Sequence, residues 1–414
     1  MSQHYRLQRL MLLRLINAMG RRLMQNGFSW LRLDEQTFLD KARANTGLDD
    51  FGDTSFLEAL RVLLAAYEAE AELNFLGRLC VHGDTVRTLE NRLRLVADRK
   101  RHPAIAREVI RRPLFITGLP RSGTTFLHAL LARDPDHRAP LVWEVMHPSP
   151  PPEAASYDND RRINTTAWQL KWIDLIMPDF KTVHLIDALL PQECIAITSH
   201  DFRSYTFETM YHVPTYQAWH DRQDKRPEYE FHRRFLQHLQ WRAPGKRWVL
   251  KAPSHLVALE ALLQVYPDAG VILTHRDPLK VLASCASFTE VLRRGFSDHV
   301  DKVSMAQEVR QRWEEGAGLA VKYRQMAGLE KQFFDVRYTD LVREPLDMIQ
   351  RIYEHFDLEL TPAAKSAMQQ FLQANLKNKA GVHRYSLEEF QLNSEEERSR
   401  FQFYMDYFGL EPEI

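Results

Sequence analysis

Cysteine is scarce in this chain, since only three occur among 414 residues, and they lie far apart. They form no CxxC pair and no cluster with histidine, so the sequence argues against a disulfide-stabilised scaffold and against a structural zinc site. This cysteine usage is typical of a reducing compartment, and we expect a cytoplasmic protein. The three cysteines are Cys80, Cys194 and Cys285.

Net charge is also absent, because 55 Lys and Arg residues balance 55 Asp and Glu residues. No broad electrostatic field therefore points to nucleic acid or to an anionic membrane as the partner. We expect no nucleic-acid partner, and any anion that the protein binds must be held by a local site. Nothing in the sequence indicates an oligomeric state.

Long uncharged apolar runs are missing as well. The most apolar N-terminal stretch, LMLLRLINAMGRRLM, contains Arg14, Arg21 and Arg22, which are too many charges for a signal peptide or a membrane-spanning helix. We therefore expect a soluble protein whose first helix packs its apolar stripe on the rest of the chain. The alternative is an amphipathic helix that makes a peripheral membrane contact.

The chain has two patterns of hydrophobicity, which together predict the fold class. Residues 1–112 keep apolar residues at spacings of three and four, which predicts a helical N-terminal region. From residue 113, short apolar runs such as LFITG, RWVLK and GVILTH end in polar turns and lead into helical patterns. Strands that alternate with helices pair in parallel, so residues 113–414 predict a three-layer α/β fold, a parallel β-sheet flanked by helices. Residues 140–246 form a long, aromatic-rich insertion on the substrate side.

The stretch PLFITGLPRSGTTFLHALL, residues 113–131, predicts a phosphate-binding loop. Its glycines allow a tight turn from strand to helix, and the free N–H groups at the helix start attract an anion. Nucleotide hydrolases have a lysine here and bind magnesium through the next hydroxyl, whereas this loop has an arginine. We therefore expect a site without metal. The loop residues assigned to it are Arg121, Ser122, Gly123, Thr124 and Thr125.

Two later strand ends supply further cations. LTHRDPLKVLASCASF places Arg276 directly after a strand, Asp277 at the predicted N-cap and Ser284 two turns into the helix. RWVLKAPSH supplies Lys251 from another strand end. Because the carboxyl ends of parallel strands meet at one edge of a sheet, Arg121, Lys251 and Arg276 predict a site for a ligand with two separated anionic groups.

These motifs resemble the sulfotransferase family, which uses 3′-phosphoadenosine 5′-phosphosulfate (PAPS) as the sulfuryl donor. GLPRSGTT resembles the 5′-phosphosulfate loop and HRDPLKVLAS the 3′-phosphate motif, with RWVLKAPSH, DVRYTDLVREP and NKAGVHRYSLEEF in support. The resemblance covers residues 113–390 and is greatest to a bacterial branch with a helical N-terminal region. It implies a P-loop-like sulfotransferase fold, PAPS as co-substrate, adenosine 3′,5′-bisphosphate (PAP) as product and no metal.

The resemblance also implies roles for individual residues. Arg121 and Lys251 are expected to stabilise charge on the leaving phosphate oxygen. Arg276 and Ser284 are expected to bind the 3′-phosphate of the donor. Two late residues are expected to close over that phosphate, and these are Lys379 and Gly381.

Three residues stay open as the general base that accepts the acceptor's proton. Tyrosylprotein sulfotransferases use a glutamate downstream of the loop, which corresponds to Glu144 with a small offset in spacing. Cytosolic small-molecule sulfotransferases use a histidine, and the insertion offers His184 as well as Glu193. His275 precedes the candidate phosphate arginine, and we interpret it as a donor-side or structural residue.

The acceptor is indicated only by class. The aromatic insertion and the zero net charge favour a small or lipid-like alcohol or phenol, with an amine as a further acceptor group, over an anionic polysaccharide. Two other functions stay open: a kinase-like nucleotide phosphotransferase, and a non-catalytic adenosine-nucleotide-binding or scaffold protein with the same fold. The missing loop lysine argues against the first. The retained candidate cations argue against the second, because a buried cation is costly without an anion partner.

Overall fold

A parallel β-sheet organises the second part of the chain. The computed structural model describes residues 3–25, 31–177, 180, 185–377 and 386–413. Within these residues, five parallel strands form one sheet in the order β2-β3-β1-β4-β5. The strands are β1 (Leu114–Gly118), β2 (His137–Arg138), β3 (Arg247–Lys251), β4 (Gly270–His275) and β5 (Phe333–Arg337). The carboxyl ends of the adjacent strands β3, β1 and β4 therefore meet at one edge of the sheet.

Helices cover both faces of this sheet. The strands β1 and β4 are buried along their whole length, and their side chains alternate between two hydrophobic cores. Phe115 and Val271 belong to the core on one face, whereas Leu114 and Ile272 belong to the core on the other. Parallel strands with two buried faces require a helical layer on each side. The predicted three-layer α/β fold is therefore confirmed.

The helices account for most of the remaining described residues. They are α1 (Gln3–Gln25), α2 (Glu35–Thr46), α3 (Phe56–Ala69), α4 (Phe75–Arg101), α5 (Thr124–Leu131), α6 (Val142–Met146), α7 (Arg161–Ile176), α8 (Cys194–Thr198), α9 (Thr206–Met210), α10 (Pro214–Asp221), α11 (Arg226–Gln240), α12 (Leu259–Val265), α13 (Pro278–Phe296), α14 (Lys302–Ala327), α15 (Tyr338–Arg343), α16 (Pro345–His355), α17 (Pro362–Lys377) and α18 (Ser394–Phe408). α13 begins as predicted, because the Asp277 side chain accepts a hydrogen bond from the backbone N–H of Leu279 at 3.0 Å. None of the described helices is both long and apolar enough to cross a lipid bilayer.

The N-terminal helices share a core with later parts of the chain. Phe38 and Phe56 of α2 and α3 belong to the same hydrophobic cluster as Phe202 and Tyr216 of the insertion and Phe296 of α13. The predicted helical N-terminal region is therefore present and packs on residues far away in sequence. The boundary after residue 112 and the limits of the insertion stay predictions.

Candidate active site

The loop between β1 and α5 has the backbone of an anion-binding turn. A Cβ atom at Gly118, where φ is +143°, would lie 2.2 Å from the carbonyl oxygen of Thr274, so this position requires glycine. Gly123, with φ +94°, is the N-cap of α5. Arg121 also has a positive φ, +62°, which is uncommon for a residue with a side chain. The first N–H groups of α5 have no intrahelical acceptor, which suits the binding of an anion.

Ser122 fixes this loop to the sheet. Its buried hydroxyl lies 2.5 Å from the carbonyl oxygen of Leu119 and 2.6 Å from the hydroxyl of Thr274 in β4. The side chain is therefore engaged inside the loop. What Ser122 offers to an anion is its backbone N–H.

The structure brings the two phosphate motifs of the sequence together. Nε of Arg121 donates a hydrogen bond to Oγ of Ser284 at 3.1 Å, although 163 positions separate them. Nη1 of Arg276 donates to the carbonyl oxygen of Arg121 at 3.0 Å. The loop and the start of α13 thus form one cationic surface at the carboxyl ends of β1 and β4.

Arg276 also has partners that its sequence motif does not predict. Its Nε lies 3.2 and 3.1 Å from the two carboxylate oxygens of Glu413, and its guanidinium stacks 4.1 Å from the ring centre of Tyr338. The backbone N–H of Glu413 donates to Asp277 at 2.9 Å. An acidic residue in an irregular segment has no spacing pattern from which this contact could be predicted.

Lys251 connects the loop with the insertion. Its side chain is 2% exposed, and its ammonium donates to Oγ1 of Thr125 at 3.2 Å and to the carboxylate of Glu193. Glu193 immediately precedes α8, and its side chain is 17% exposed. A buried ammonium requires such partners, because removing an isolated charge from water is costly. Thr125, Lys251 and Glu193 therefore form a hydrogen-bonded row that begins at the loop.

Glu144 lies apart from that row. It is fully buried, Arg138 donates to its Oε1 at 2.5 Å, and the backbone N–H of Leu141 donates to its Oε2 at 2.9 Å. Both carboxylate oxygens thus have partners typical of a structural ion pair. The remaining expected site residues lie outside the described residues, and these are His184, Lys379 and Gly381.

A cavity of about 410 Å³ extends from the loop. Its polar part contains Arg121, Thr124, Thr125, Lys251 and Glu193. The remainder has a mainly apolar lining from α3, α4, α7, the insertion and α13, which includes Tyr67, Val81, Leu170, Ile173, Phe207 and Phe288. No motif in the N-terminal region indicates a site, yet this region forms part of the cavity wall. In the described part of the chain, no group of three or more His, Cys, Asp and Glu side chains is placed to hold a metal ion.

Burial keeps the histidines around this site neutral near pH 7. It lowers the pKa of His128 to about 3, and the neighbouring Lys251 acts in the same direction. It also lowers the pKa of His200, in the cavity wall, to about 3. Burial likewise lowers the pKa of His275, whose Nε2 lies 2.8 Å from a carboxylate oxygen of Asp335. His275 therefore has the contacts of a structural residue, which is one of the two interpretations that the sequence left open.

Comparison with known proteins identifies the family. The model of the sulfotransferase family matches residues 113–362. The crystal structure of sulfotransferase STF1 from Mycobacterium tuberculosis has a TM-score of 0.80 and 34% sequence identity, covering 89% of this chain and 98% of that one. Sulfotransferase STF9 from Mycobacterium avium has a TM-score of 0.83 and 30% identity, covering 91% and 97% of the two chains. The omega-hydroxy-beta-dihydromenaquinone-9 sulfotransferase Stf3 of Mycobacterium bovis is 26% identical over 299 residues, which cover 67% of this chain and 71% of that protein.

The family match covers more than half of this chain, and the two crystal structures extend the similarity over most of it. The resemblance found in the sequence motifs is thereby confirmed. A nucleotide phosphotransferase and a non-catalytic protein are set aside as alternatives. The chain belongs to the sulfotransferase family and is a sulfotransferase enzyme.

Proposed function

We propose that this sulfotransferase takes its sulfuryl group from PAPS and transfers it to a hydroxyl, or an amine, of a small or lipid-like acceptor. The observation that carries the donor assignment is the contact of Arg121 with Ser284, next to the contact of Arg276 with the Arg121 carbonyl. These contacts place a loop suited to a phosphosulfate beside an arginine suited to a separate phosphate.

The donor set of the site fits this co-substrate. The loop offers backbone N–H groups, the Arg121 guanidinium and the hydroxyls of Thr124 and Thr125, all of which can donate to anionic oxygens. When bound, PAPS supplies an activated sulfuryl group attached to a phosphate that leaves. We infer that the loop residues 121–125 hold the phosphosulfate, and that Arg276 and Ser284 hold the 3′-phosphate. The role of Lys379 and Gly381 in closing over that phosphate stays a proposal.

Charge stabilisation in the transfer is assigned to Arg121 and Lys251. Both line the same cavity, and Lys251 is almost fully buried, so its charge acts with little screening by water. The hydrogen bond from Lys251 to Thr125 holds the ammonium at the loop. We infer that these two cations stabilise the negative charge that grows on the leaving phosphate oxygen.

Glu193 is our candidate for the general base. Glu193 lines the cavity, and its carboxylate accepts a hydrogen bond from the ammonium of Lys251. A proton taken from the acceptor would therefore arrive on a carboxylate beside the transfer site. Glu144 is not among the residues that line this cavity, and its two carboxylate oxygens accept hydrogen bonds from Arg138 and the backbone N–H of Leu141. His184 stays the alternative.

The apolar part of the cavity supports a lipid-like acceptor. Aromatic and aliphatic side chains line it from several helices, and an apolar wall favours a hydrophobic acceptor over an anionic polysaccharide. The Mycobacterium bovis relative is named for sulfation of omega-hydroxy-beta-dihydromenaquinone-9. A long-chain alcohol is therefore the acceptor class that we favour.

We also propose a cytoplasmic location. All three cysteines are free thiols, which suits a reducing compartment. Burial raises the pKa of Cys285, beside the loop arginine, to about 12, so this thiol stays protonated and unreactive.

Transfer of labelled sulfuryl from PAPS tests the proposal. The purified chain is offered a long-chain isoprenoid alcohol, a simple phenol, an alkyl amine and an anionic polysaccharide, each with wild type and with Lys251→Ala. We expect label on the alcohol with wild type and little with the variant. Label on the polysaccharide alone would contradict the acceptor class, and transfer that Lys251→Ala leaves unchanged would contradict the assigned role of Lys251.

A further inference from the structure

Between residues 11 and 23, where the structure describes its side chains, the first helix, α1, packs on the protein along one side. Oδ1 of Asn17 accepts a hydrogen bond from the backbone N–H of Leu76 at 3.1 Å. A Cβ atom at Gly20 would lie 2.0 Å from the ring of Phe75, so the glycine lets α1 lie directly on the start of α4. Asn17 and Gly20 are buried, and they define the inner side of α1.

The outer side of α1 exposes large apolar side chains to solvent, so the expectation that this helix packs its apolar stripe on the rest of the chain was wrong. Successive residues of a helix are about 100° apart, and the exposed apolar residues fall within about a third of its circumference. They are Met11 (67% exposed), Leu12 (50%), Leu15 (57%), Met19 (58%) and Leu23 (45%). We call these five residues the outer face of α1. Scattered apolar residues on a surface are ordinary, but five on one helical face mark an interaction surface.

The charge of α1 identifies the kind of partner. Its sequence contains five arginines and no Asp or Glu, although the whole chain has a formal net charge of zero. Exposed Arg22 lies within the outer face, and exposed Arg14 lies about 60° beyond its edge. Arginines beside an apolar face suit a bilayer with anionic headgroups, where the aliphatic stems lie along the apolar region and the charges reach the phosphates. A second copy of this helix would instead place positive charge against positive charge.

The attachment site of α1 adjoins the cavity. The helix α4, on which α1 packs, supplies Val81 and Thr85 to the cavity lining. Met177, which also lines the cavity, packs against Gly295 of α13. Arg21 of α1 forms a 3.2 Å ion pair with Asp298, which lies just beyond the end of α13. The outer face of α1 and one wall of the cavity therefore belong to neighbouring elements.

We propose that α1 docks the enzyme on an anionic membrane surface and so brings the cavity to acceptors that reside in the bilayer. The use of a membrane-resident acceptor rests on the proposed function, whereas the docking itself rests on α1 alone. The basic, apolar helix α1 would thus bind lipid locally, although the formal net charge of the whole chain is zero.

Vesicle co-sedimentation of the full chain tests the docking. The probes are vesicles of phosphatidylcholine alone and vesicles that also contain phosphatidylglycerol, at low and high salt. We expect binding to the anionic vesicles that weakens at high salt. The variant Leu12→Gln, Leu15→Gln, Met19→Gln is expected to lower this binding by more than about tenfold, and Arg14→Gln, Arg22→Gln is expected to lower it on anionic vesicles only.

A matched control removes equally exposed apolar side chains elsewhere. Leu319, Met326 and Val342 are 50%, 75% and 54% exposed on α14 and α15, and their triple replacement by Gln is expected to leave vesicle binding unchanged. The melting temperature and PAP affinity of each variant show that the fold is intact. Equal binding by wild type and the α1 variant, or a dimer in analytical ultracentrifugation that the α1 variant dissociates without a change in vesicle binding, would overturn the proposal.

Sulfation assays with the α1 variant test the membrane docking and the proposed acceptor class separately. If both hold, the α1 variant loses sulfation of a long-chain alcohol in vesicles but keeps sulfation of a short, water-soluble alcohol. Vesicle binding without sulfation of any lipid alcohol would contradict the acceptor class and leave the docking supported. Sulfation of the vesicle alcohol that does not depend on α1 would contradict the docking and leave the acceptor class supported.

Discussion

Lys251 is the residue at which the loop, the cavity and a carboxylate meet. Its ammonium contacts Thr125 on the donor side and Glu193 on the cavity side. One buried cation thus holds both the proposed donor site and the proposed base in position. The two proposed functions of this row, charge stabilisation and proton transfer, can be separated by substitution.

Glu193→Gln tests the general base. We expect the variant to bind PAP as wild type does but to lose about 100- to 10,000-fold in kcat, because the amide cannot accept the acceptor's proton. Steady-state kinetics with the acceptor alcohol, together with PAP titration of both proteins, measure this.

Glu144→Gln is the matched comparison for Glu193→Gln, because it makes the same change at the other described candidate for the base. Since Glu144 is buried against Arg138, its loss is expected to lower the free energy of unfolding by about 3–5 kcal/mol. The folded fraction should keep its kcat. A stable Glu144→Gln enzyme without activity, beside an active Glu193→Gln enzyme, would reverse the assignment.

Glu413→Gln tests whether the ion pair with Arg276 competes with the donor. The carboxylate lies on the guanidinium that we assign to the 3′-phosphate, so its neutralisation is expected to tighten PAP binding up to about fivefold. Isothermal titration calorimetry measures this, and exposed Glu411→Gln serves as the control. Weaker PAP binding by Glu413→Gln would show that the carboxylate supports the site instead.

At the scale of single elements, the turn after β1 is the most constrained part of the site. Gly118→Ala is expected to lower the free energy of unfolding by about 3 kcal/mol or more, because the new Cβ would meet the Thr274 carbonyl. Gly83→Ala, in an exposed turn of α4 with open space around the position, is expected to raise it by about 0.5–1 kcal/mol. Chemical denaturation of both variants checks the pair, and an unaffected Gly118→Ala would contradict the description of the turn.

Three strands of the sheet and the helix after β4 follow from local patterns in the sequence. β1, β3 and β4 are apolar runs that each end in a polar turn, and α13 has an Asp N-cap followed by proline. The sequence did not predict β2, because a two-residue strand has no periodicity and exists only through its pairing with β3. The contact of Arg276 with Glu413 was likewise unpredictable, since it joins positions 137 apart without a motif.

At the scale of the whole molecule, buried histidines make stability depend on pH. Burial lowers the pKa values of His128, His200 and His232 to about 3, so these rings stay neutral in the folded chain. In the unfolded chain they take up protons below about pH 6.5. The unfolded state thus binds more protons than the folded state, and stability falls as the pH decreases from about 6.5 toward 4.

Urea unfolding between about pH 7 and 4 measures this loss. Each such histidine is expected to lower the free energy of unfolding by up to about 1.4 kcal/mol per pH unit. His232→Gln should reduce the slope of the free energy of unfolding against pH by the amount that corresponds to about one bound proton. A free energy of unfolding that stays constant over this range would contradict the burial of these rings.

The N-terminal region contributes to the cavity only through the packing of the whole molecule. Its helical spacing predicted helices correctly, but an apolar helical face does not reveal which partner it packs against. The structure shows that Tyr67 and Val81 face the same cavity as Lys251, which lies more than a hundred positions later. The wall of the site is therefore a property of tertiary packing, whereas its loop is a property of local sequence.

The most direct test of the proposed PAPS site is a thermal-shift comparison of PAP, ADP and ATP, with and without magnesium, on wild type and Arg276→Ala. A ligand at about a hundred times its Kd stabilises the folded chain by about 2.7 kcal/mol. We predict a shift with PAP that needs no magnesium, exceeds the shifts with ADP and ATP, and is lost in Arg276→Ala. A shift that appears only with ATP and magnesium, or a PAP shift that Arg276→Ala leaves intact, would contradict the proposed donor site.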